Sequence, residues 1–136
     1  MAERAKVLIA DDEQACIELV REALADEDCQ VLSAMDGEEA LATAKKEVPQ
    51  VLILDVQMPK MNGFEVFRQL RADESLSAVR VIMLTAVTQR TGIKFSGADM
   101  GEYLGSEPDA YIDKPIEPVI LRQAVRRLLK GRAGSA

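Results

Sequence analysis

A chain of 136 residues argues for one domain, and 48% hydrophobic content can build a real core, although 4% aromatics and no Trp make that core aliphatic. A net charge of −6, from 23 acids against 17 bases, argues against nucleic-acid binding driven by overall charge. The absence of His removes His-based triads, His general bases and most zinc and haem sites, and no apolar run approaches the ~18 residues of a membrane span.

Lys6–Ala10 is a short apolar run and predicts a first strand, ending on Asp11, Asp12 and Glu13. Cys16, Ile17, Leu19, Val20, Ala23 and Leu24 then recur at helical spacing, so the acids lie in a strand-to-helix turn where either Asp11 or Asp12 could cap the helix. Gln30–Ala34 predicts a second strand. Asp36, with Glu39 three residues later, makes a capping-box-like start to a helix whose stripe is Ala40, Leu41, Ala44 and Val48 and which Pro49 ends. Residues 51–54 are four apolar residues running into Asp55. A run that short and apolar reads as a strand buried on both faces, as in a parallel sheet. After the loop Pro59–Gly63, Asn62 caps a third helix carrying Phe64, Val66, Phe67 and Leu70. Ala78–Leu84 predicts a fourth strand ending on Thr85, and Asp109–Asp113 a fifth ending on Lys114 and Pro115. A last helix carries Val119, Ile120, Ala124, Val125, Leu128 and Leu129, and its basic end (Arg122, Arg126, Arg127, Lys130) suits the macrodipole. Residues 131–136 read as a disordered tail. The two cysteines, Cys16 and Cys29, show no CxxC spacing and read as reduced thiols.

Strands alternating with helices specify an α/β fold, a parallel sheet with helices on both faces. In such a sheet the carboxyl ends of all strands share one edge, the edge where ligands bind. Asp11, Asp12, Asp55, Thr85 and Lys114 therefore meet, although they span more than a hundred positions. Two like charges 4 Å apart repel by about 4 kcal/mol at an effective dielectric of 20, so the clustered carboxylates require a proton or a cation. Oxygen ligands without His or thiolate favour Mg²⁺ over zinc. A carboxylate beside Mg²⁺, an ammonium and a hydroxyl suits phosphoryl transfer, with an aspartyl phosphate as product.

The paired acids Asp11-Asp12, the segment Asp55-Val-Gln-Met-Pro59 with Gly63 after it, Thr85-Ala86 and Lys114-Pro115 stand in the order and on the elements of a known family. Over residues 5–130 the chain resembles a response-regulator receiver domain of two-component signalling, similar to the chemotaxis receivers. The resemblance implies a flavodoxin-like, doubly wound five-stranded parallel sheet of order 2-1-3-4-5, as a single receiver domain over 1–130. It implies that Asp55 is the phospho-acceptor, Asp12 a direct Mg²⁺ ligand, Asp11 a ligand directly or through water, and the Gln57 backbone carbonyl a further ligand. Lys114, joined to Pro115 by a cis bond, would pair with the phosphoryl group, and Thr85 would turn its hydroxyl to it. Tyr111 would swing inward as Thr85 moves. Gln57 and Val87 would flank the phosphate and help set its lifetime, and the apolar Val87 hints at slow self-hydrolysis. The donor implied is a histidine kinase or phosphotransfer protein. The output implied is a conformational switch of the face around residues 85–125 rather than turnover, in a cytoplasmic phosphoprotein that is a monomer or a phosphorylation-dependent dimer, with no direct nucleic-acid or membrane contact.

The chain departs from the family between Thr85 and Tyr111, where the stretch is longer than usual. Gly92, Gly97, Gly101 and Gly105 are half of the chain's 8 glycines, and each costs about 1 kcal/mol against Ala within a helix. Residues 87–108 are therefore expected to form a long loop with a fourth helix that is short, irregular or mobile, serving an unusual partner or ordering on phosphorylation, or else a tolerated surface insertion. Two other functions are open to a strand-end aspartate with Mg²⁺. A phosphatase of the haloacid dehalogenase type would want an acid two residues beyond Asp55, where Gln57 stands. A non-phosphorylated receiver-like scaffold would not need the full set of acids, hydroxyl and lysine.

Overall fold

The computed structural model describes residues 5–58, 60–85 and 108–134, with the backbone alone from 130 to 134. The expected loop or weak helix over 87–108 falls almost wholly outside these residues, as do Val87, Ala86 and Pro59.

Among the described residues the chain runs β1 (Ala5–Ala10), α1 (Gln14–Ala23), β2 (Cys29–Ala34), α2 (Gly37–Glu47), β3 (Val51–Asp55), α3 (Gly63–Ala72), a 3-10 turn (Glu74–Leu76), β4 (Arg80–Thr85), β5 (Ala110–Asp113) and α4 (Pro118–Gly134). The strands form one sheet in the order β2-β1-β3-β4-β5, and all four pairings are parallel. This is the doubly wound order expected.

The strand pattern explains the two-layered core. Within β3, every residue is buried, and alternation sends Leu52 and Leu54 to the side of α2 and α3, and Val51 and Ile53 to the side of α1 and α4. The first side is filled by Phe67, Leu70, Leu76 and Met83, the second by Ile17, Val20, Ile82, Leu121 and Val125. Each fully buried aliphatic of this size contributes about 1.5–3 kcal/mol against exposure, which is why β3 holds the centre of the sheet.

The helix starts follow their side chains. Asp36 accepts from Glu39 N (2.8 Å), while Glu39 Oε1 accepts from Met35 N (2.7 Å), so α2 has the reciprocal cap expected. Asn62 caps α3 by accepting from Glu65 N at 3.0 Å. At α1 the expectation fails: Glu13 is the capping position and makes no side-chain cap bond, and neither Asp11 nor Asp12 caps the helix. Helix α2 ends at Val48, a left-handed C-cap (φ 46°) whose N–H donates to Ala44 O, and Pro49 after it cannot continue the helix. Helix α4 continues to Gly134, through four of the residues expected to be a disordered tail. Its basic residues are also tied more firmly than a solvated helix end would be. Arg122 donates to Ala23 O (3.0 Å) and Arg126 holds Glu27 through two bonds of 2.7 Å, fastening α4 across the end of α1.

Candidate functional site

The sheet register assembles the site. Ala10 pairs with Leu54, Asp55 with Leu84, and Thr85 with Asp113, so each strand ends one rung beyond its neighbour's last apolar residue. Backbone bonds extend the ladder past the strands: Asp11 N to Ala34 O (3.0 Å), Val56 N to Leu84 O (3.2 Å) and Lys114 N to Thr85 O (2.7 Å). Position 63 must be Gly for the same reason. A Cβ there would lie 2.3 Å from Asp55 O, so only a residue without one lets α3 begin against the backbone of the strand end.

Asp11, Asp12 and Asp55 each offer a carboxylate oxygen within 4.8 Å of the others. Asp11 is fully buried and Asp55 is 3% exposed, whereas Asp12 faces solvent. Lys114 Nζ reaches into this group, lying 2.9 Å from Asp11 Oδ2, 3.0 Å from Glu13 Oε1 and 3.5 Å from Asp55 Oδ1. The contact with Asp11 is an ion pair by distance but not an aligned hydrogen bond, so Asp11 Oδ2 remains a buried oxygen with unused acceptor capacity. Asp11 Oδ1 accepts from Glu13 N at 2.9 Å, which fixes the direction of the carboxylate.

Burial, and then the charge of Asp11, push the Asp55 carboxyl up to about 6 against the smaller opposing pull of Lys114. Burial disfavours the Lys114 ammonium, but Asp11, Glu13 and Asp55 outweigh it and hold that group above its ordinary value. Cys16 lies beside the same cluster, and burial together with a hydrogen bond to Asp11 raises its thiol above the ordinary range, so it stays protonated. Both cysteines are free thiols, as expected.

The expected residues therefore separate into groups. Asp11, Asp12, Asp55 and Lys114 come together directly. The Lys114–Pro115 bond is cis, as expected. Thr85 is buried at the same edge, but its hydroxyl donates to Asp113 Oδ1 at 2.8 Å. Tyr111 pairs in register with Met83 and packs, half-buried, against the α2–α3 layer. Gln57 is exposed two residues beyond Asp55. Glu13 and Asp113 carry no assigned role in the sequence pattern, yet each holds a group of the site. Their signal was positional: Glu13 follows the paired acids at one strand end, and Asp113 precedes Lys114 at another.

The arrangement is a buried carboxylate of raised basicity, two further acids with spare oxygen ligands, and an ammonium that already bridges them. It can hold a hard divalent cation, and it can present one carboxylate oxygen to an incoming electrophile while cations take up the charge that the electrophile brings.

The family model for the response regulator receiver domain matches residues 7–126. The response regulator PleD of Caulobacter vibrioides is 36% identical over 93% of this chain, which spans 26% of that protein. The chain spans 49% or less of the other curated relatives among the first it matches. Among solved structures, the receiver domain of AraT, a response regulator from Geobacillus stearothermophilus, aligns with a TM-score of 0.82 and 31% identity, covering 98% of each chain. The chemotaxis response regulator CheY4 of Vibrio cholerae aligns with a TM-score of 0.77 and 32% identity, covering 93% of this chain and 99% of its own.

Proposed function

The chain belongs to the response regulator receiver domain family, and from that premise we propose that it is a switch in which Asp55 accepts a phosphoryl group from a histidine kinase or phosphotransfer protein. The observation that carries this reading is the placement of the buried Asp55 carboxylate beside Asp11 and Asp12 and within 3.5 Å of Lys114. Asp11, Asp12, Asp55 and the Gln57 backbone carbonyl would hold Mg²⁺, and the buried Asp11 Oδ2, which has an ion pair to Lys114 but no aligned hydrogen bond, and the all-oxygen donor set fit that ion. The bound ion would offset the carboxylate charge and neutralise oxygens of the phosphoryl group.

In the transfer step an Asp55 oxygen forms a bond to phosphorus as the phosphorus–nitrogen bond of a phosphohistidine donor breaks, and the imidazole leaves with its electron pair. Lys114 neutralises a phosphoryl oxygen, which requires it to give up part of its contact with Asp11 and Glu13. Thr85 donates its hydroxyl to another, and Tyr111 follows Thr85 as the switch aromatic. Gln57 and Val87, the latter outside the described residues, are the positions we assign to setting the lifetime of the acyl phosphate. The output is a shift between conformations of the face around residues 85–125 rather than turnover. The unit is read as a single cytoplasmic receiver domain acting as a monomer or a phosphorylation-dependent dimer. Among the described residues no helix is long and apolar enough to cross a membrane. Gln57 lacks the acid that a dehalogenase-type phosphatase needs to protonate a leaving group, so the same site is poorly suited to that chemistry.

Incubation with Mg²⁺ and acetyl phosphate, followed by intact mass, is expected to give one phosphoryl adduct that is absent in Asp55→Asn and absent when the metal is chelated. Steady release of phosphate without an adduct would instead indicate a phosphatase. No reaction with either acetyl phosphate or a phosphorylated histidine phosphotransfer domain would leave a scaffold.

A further inference from the structure

We propose that Asp113 is a positioning residue that keeps the Thr85 hydroxyl from the phosphoryl site in the resting protein. The proposal rests on the reading of Thr85 as a phosphoryl ligand.

A threonine hydroxyl has one proton to donate. In the structure that proton goes to Asp113 Oδ1 at 2.8 Å. A phosphoryl oxygen on Asp55 carries negative charge and needs the same donor. Asp113 and the phosphoryl group therefore compete for one proton, and Thr85 cannot serve both.

The backbone makes this competition local. Thr85 and Asp113 are register partners at the last rung of the β4–β5 ladder, and Lys114 N donates to Thr85 O at 2.7 Å just beyond it. The main chains on both sides are pinned, so redirecting the hydroxyl from one acceptor to the other is a side-chain rotation, with the proton staying on Thr85 Oγ1. The burial of the two partners decides which way it is poised. Thr85 is 3% exposed, so its hydroxyl has little access to water and takes whichever protein or ligand acceptor is offered. Asp113 is exposed on β5, the last strand of the sheet among the described residues, so water can replace the hydroxyl when it leaves.

Asp113 also immediately precedes Lys114, so both groups that would grip the phosphoryl group are held by carboxylates on the same edge before it arrives. Lys114 is held by Asp11 and Glu13, and Thr85 by Asp113.

The test uses beryllofluoride, a phosphoryl mimic, with Mg²⁺ and the 136-residue chain, with affinity read by calorimetry. Removing one charged acceptor is expected to tighten binding roughly 5-fold in Asp113→Ala. Asp113→Asn, which keeps an acceptor but drops the charge, is expected to fall between Asp113→Ala and the parent. In a Thr85→Ala background the Asp113 change is expected to have no effect, because there is no proton to compete for. A gain of equal size in that background would show that Asp113 acts through the strand rather than through Thr85, and would overturn the proposal. So would unchanged affinity in Asp113→Ala. Three-bond couplings that report the Thr85 χ1 angle give a second measure that needs no phosphoryl mimic. They are expected to indicate one rotamer in the parent and averaging in Asp113→Ala, and couplings identical in the two would also overturn the proposal. If the parent binds no beryllofluoride, the phospho-acceptor reading fails, while the couplings still decide the role of Asp113.

Discussion

Asp55 contributes a pH dependence to the stability of the metal-free protein. Its folded-state value of about 6 lies above that of an ordinary aspartate, so the folded chain keeps a proton that the unfolded chain has lost. The cost of the Asp55 charge is absent below about pH 4, grows as pH rises from about 4 to 6, and is fully present above that, at roughly 3 kcal/mol. In chelator, Asp55→Asn is therefore expected to match the parent in urea unfolding near pH 4 and to exceed it by up to about that amount at pH 7.5. Asp12 gives the complementary case. It is exposed and caps nothing, so without metal Asp12→Ala is expected to unfold within about 0.5 kcal/mol of the parent, or later. The four direct members of the cluster were legible in the sequence because strand ends in a parallel sheet must share an edge. Glu13 and Asp113 were not, because their roles depend on where one ammonium and one hydroxyl point, and side-chain direction at a strand end is not written in spacing. The cap expected from Asp11 or Asp12 failed for a related reason: Asp11 turns its Oδ1 to Glu13 N, inside the turn, and not to the first turn of α1.

At the scale of elements, the start of α3 and the end of β3 form one unit. Gly63 N donates to Val56 O at 2.8 Å, and the missing Cβ lets the helix touch the strand end. Gly63→Ala is expected to cost about 1–3 kcal/mol in thermal or urea unfolding, since the clash is with backbone that cannot turn aside. The same variant is expected to slow formation of the phosphoryl adduct, because the carbonyl it displaces belongs to Asp55. Strands and the caps of α2 and α3 were legible because apolar runs, Asp36-to-Glu39 spacing and Asn62 are local signals. Strand ends shifted by a residue or two: β5 begins at Ala110 rather than Asp109, whose carboxylate instead accepts from Val81 N (2.8 Å) and pairs with Arg71 and Arg80. That network joins three elements, and no local pattern announces it. The extension of α4 to Gly134 shows the same limit, since its composition favours a tail and only the continuing helix overrides it.

For the molecule as a whole, the site is a charge defect set into a well-packed sheet. Its carboxylates repel, and the two aliphatic layers beneath them supply the stability that tolerates the repulsion. A cation that binds only the folded chain should return part of that energy. Mg²⁺ at a hundredfold excess over its Kd is expected to raise Tm by about 10 °C in the parent, and by much less in Asp12→Ala. The strand order adds a last consequence. Lys114 follows β5, which among the described residues pairs on one side only, and meets Glu13 across 101 positions of chain. A growing polypeptide therefore displays its three aspartates long before it acquires their lysine, and the rim strand must dock to deliver it. The carboxylates of the cluster are therefore made well before the ammonium that offsets part of their repulsion, and the pairing closes only when β5 has joined the sheet.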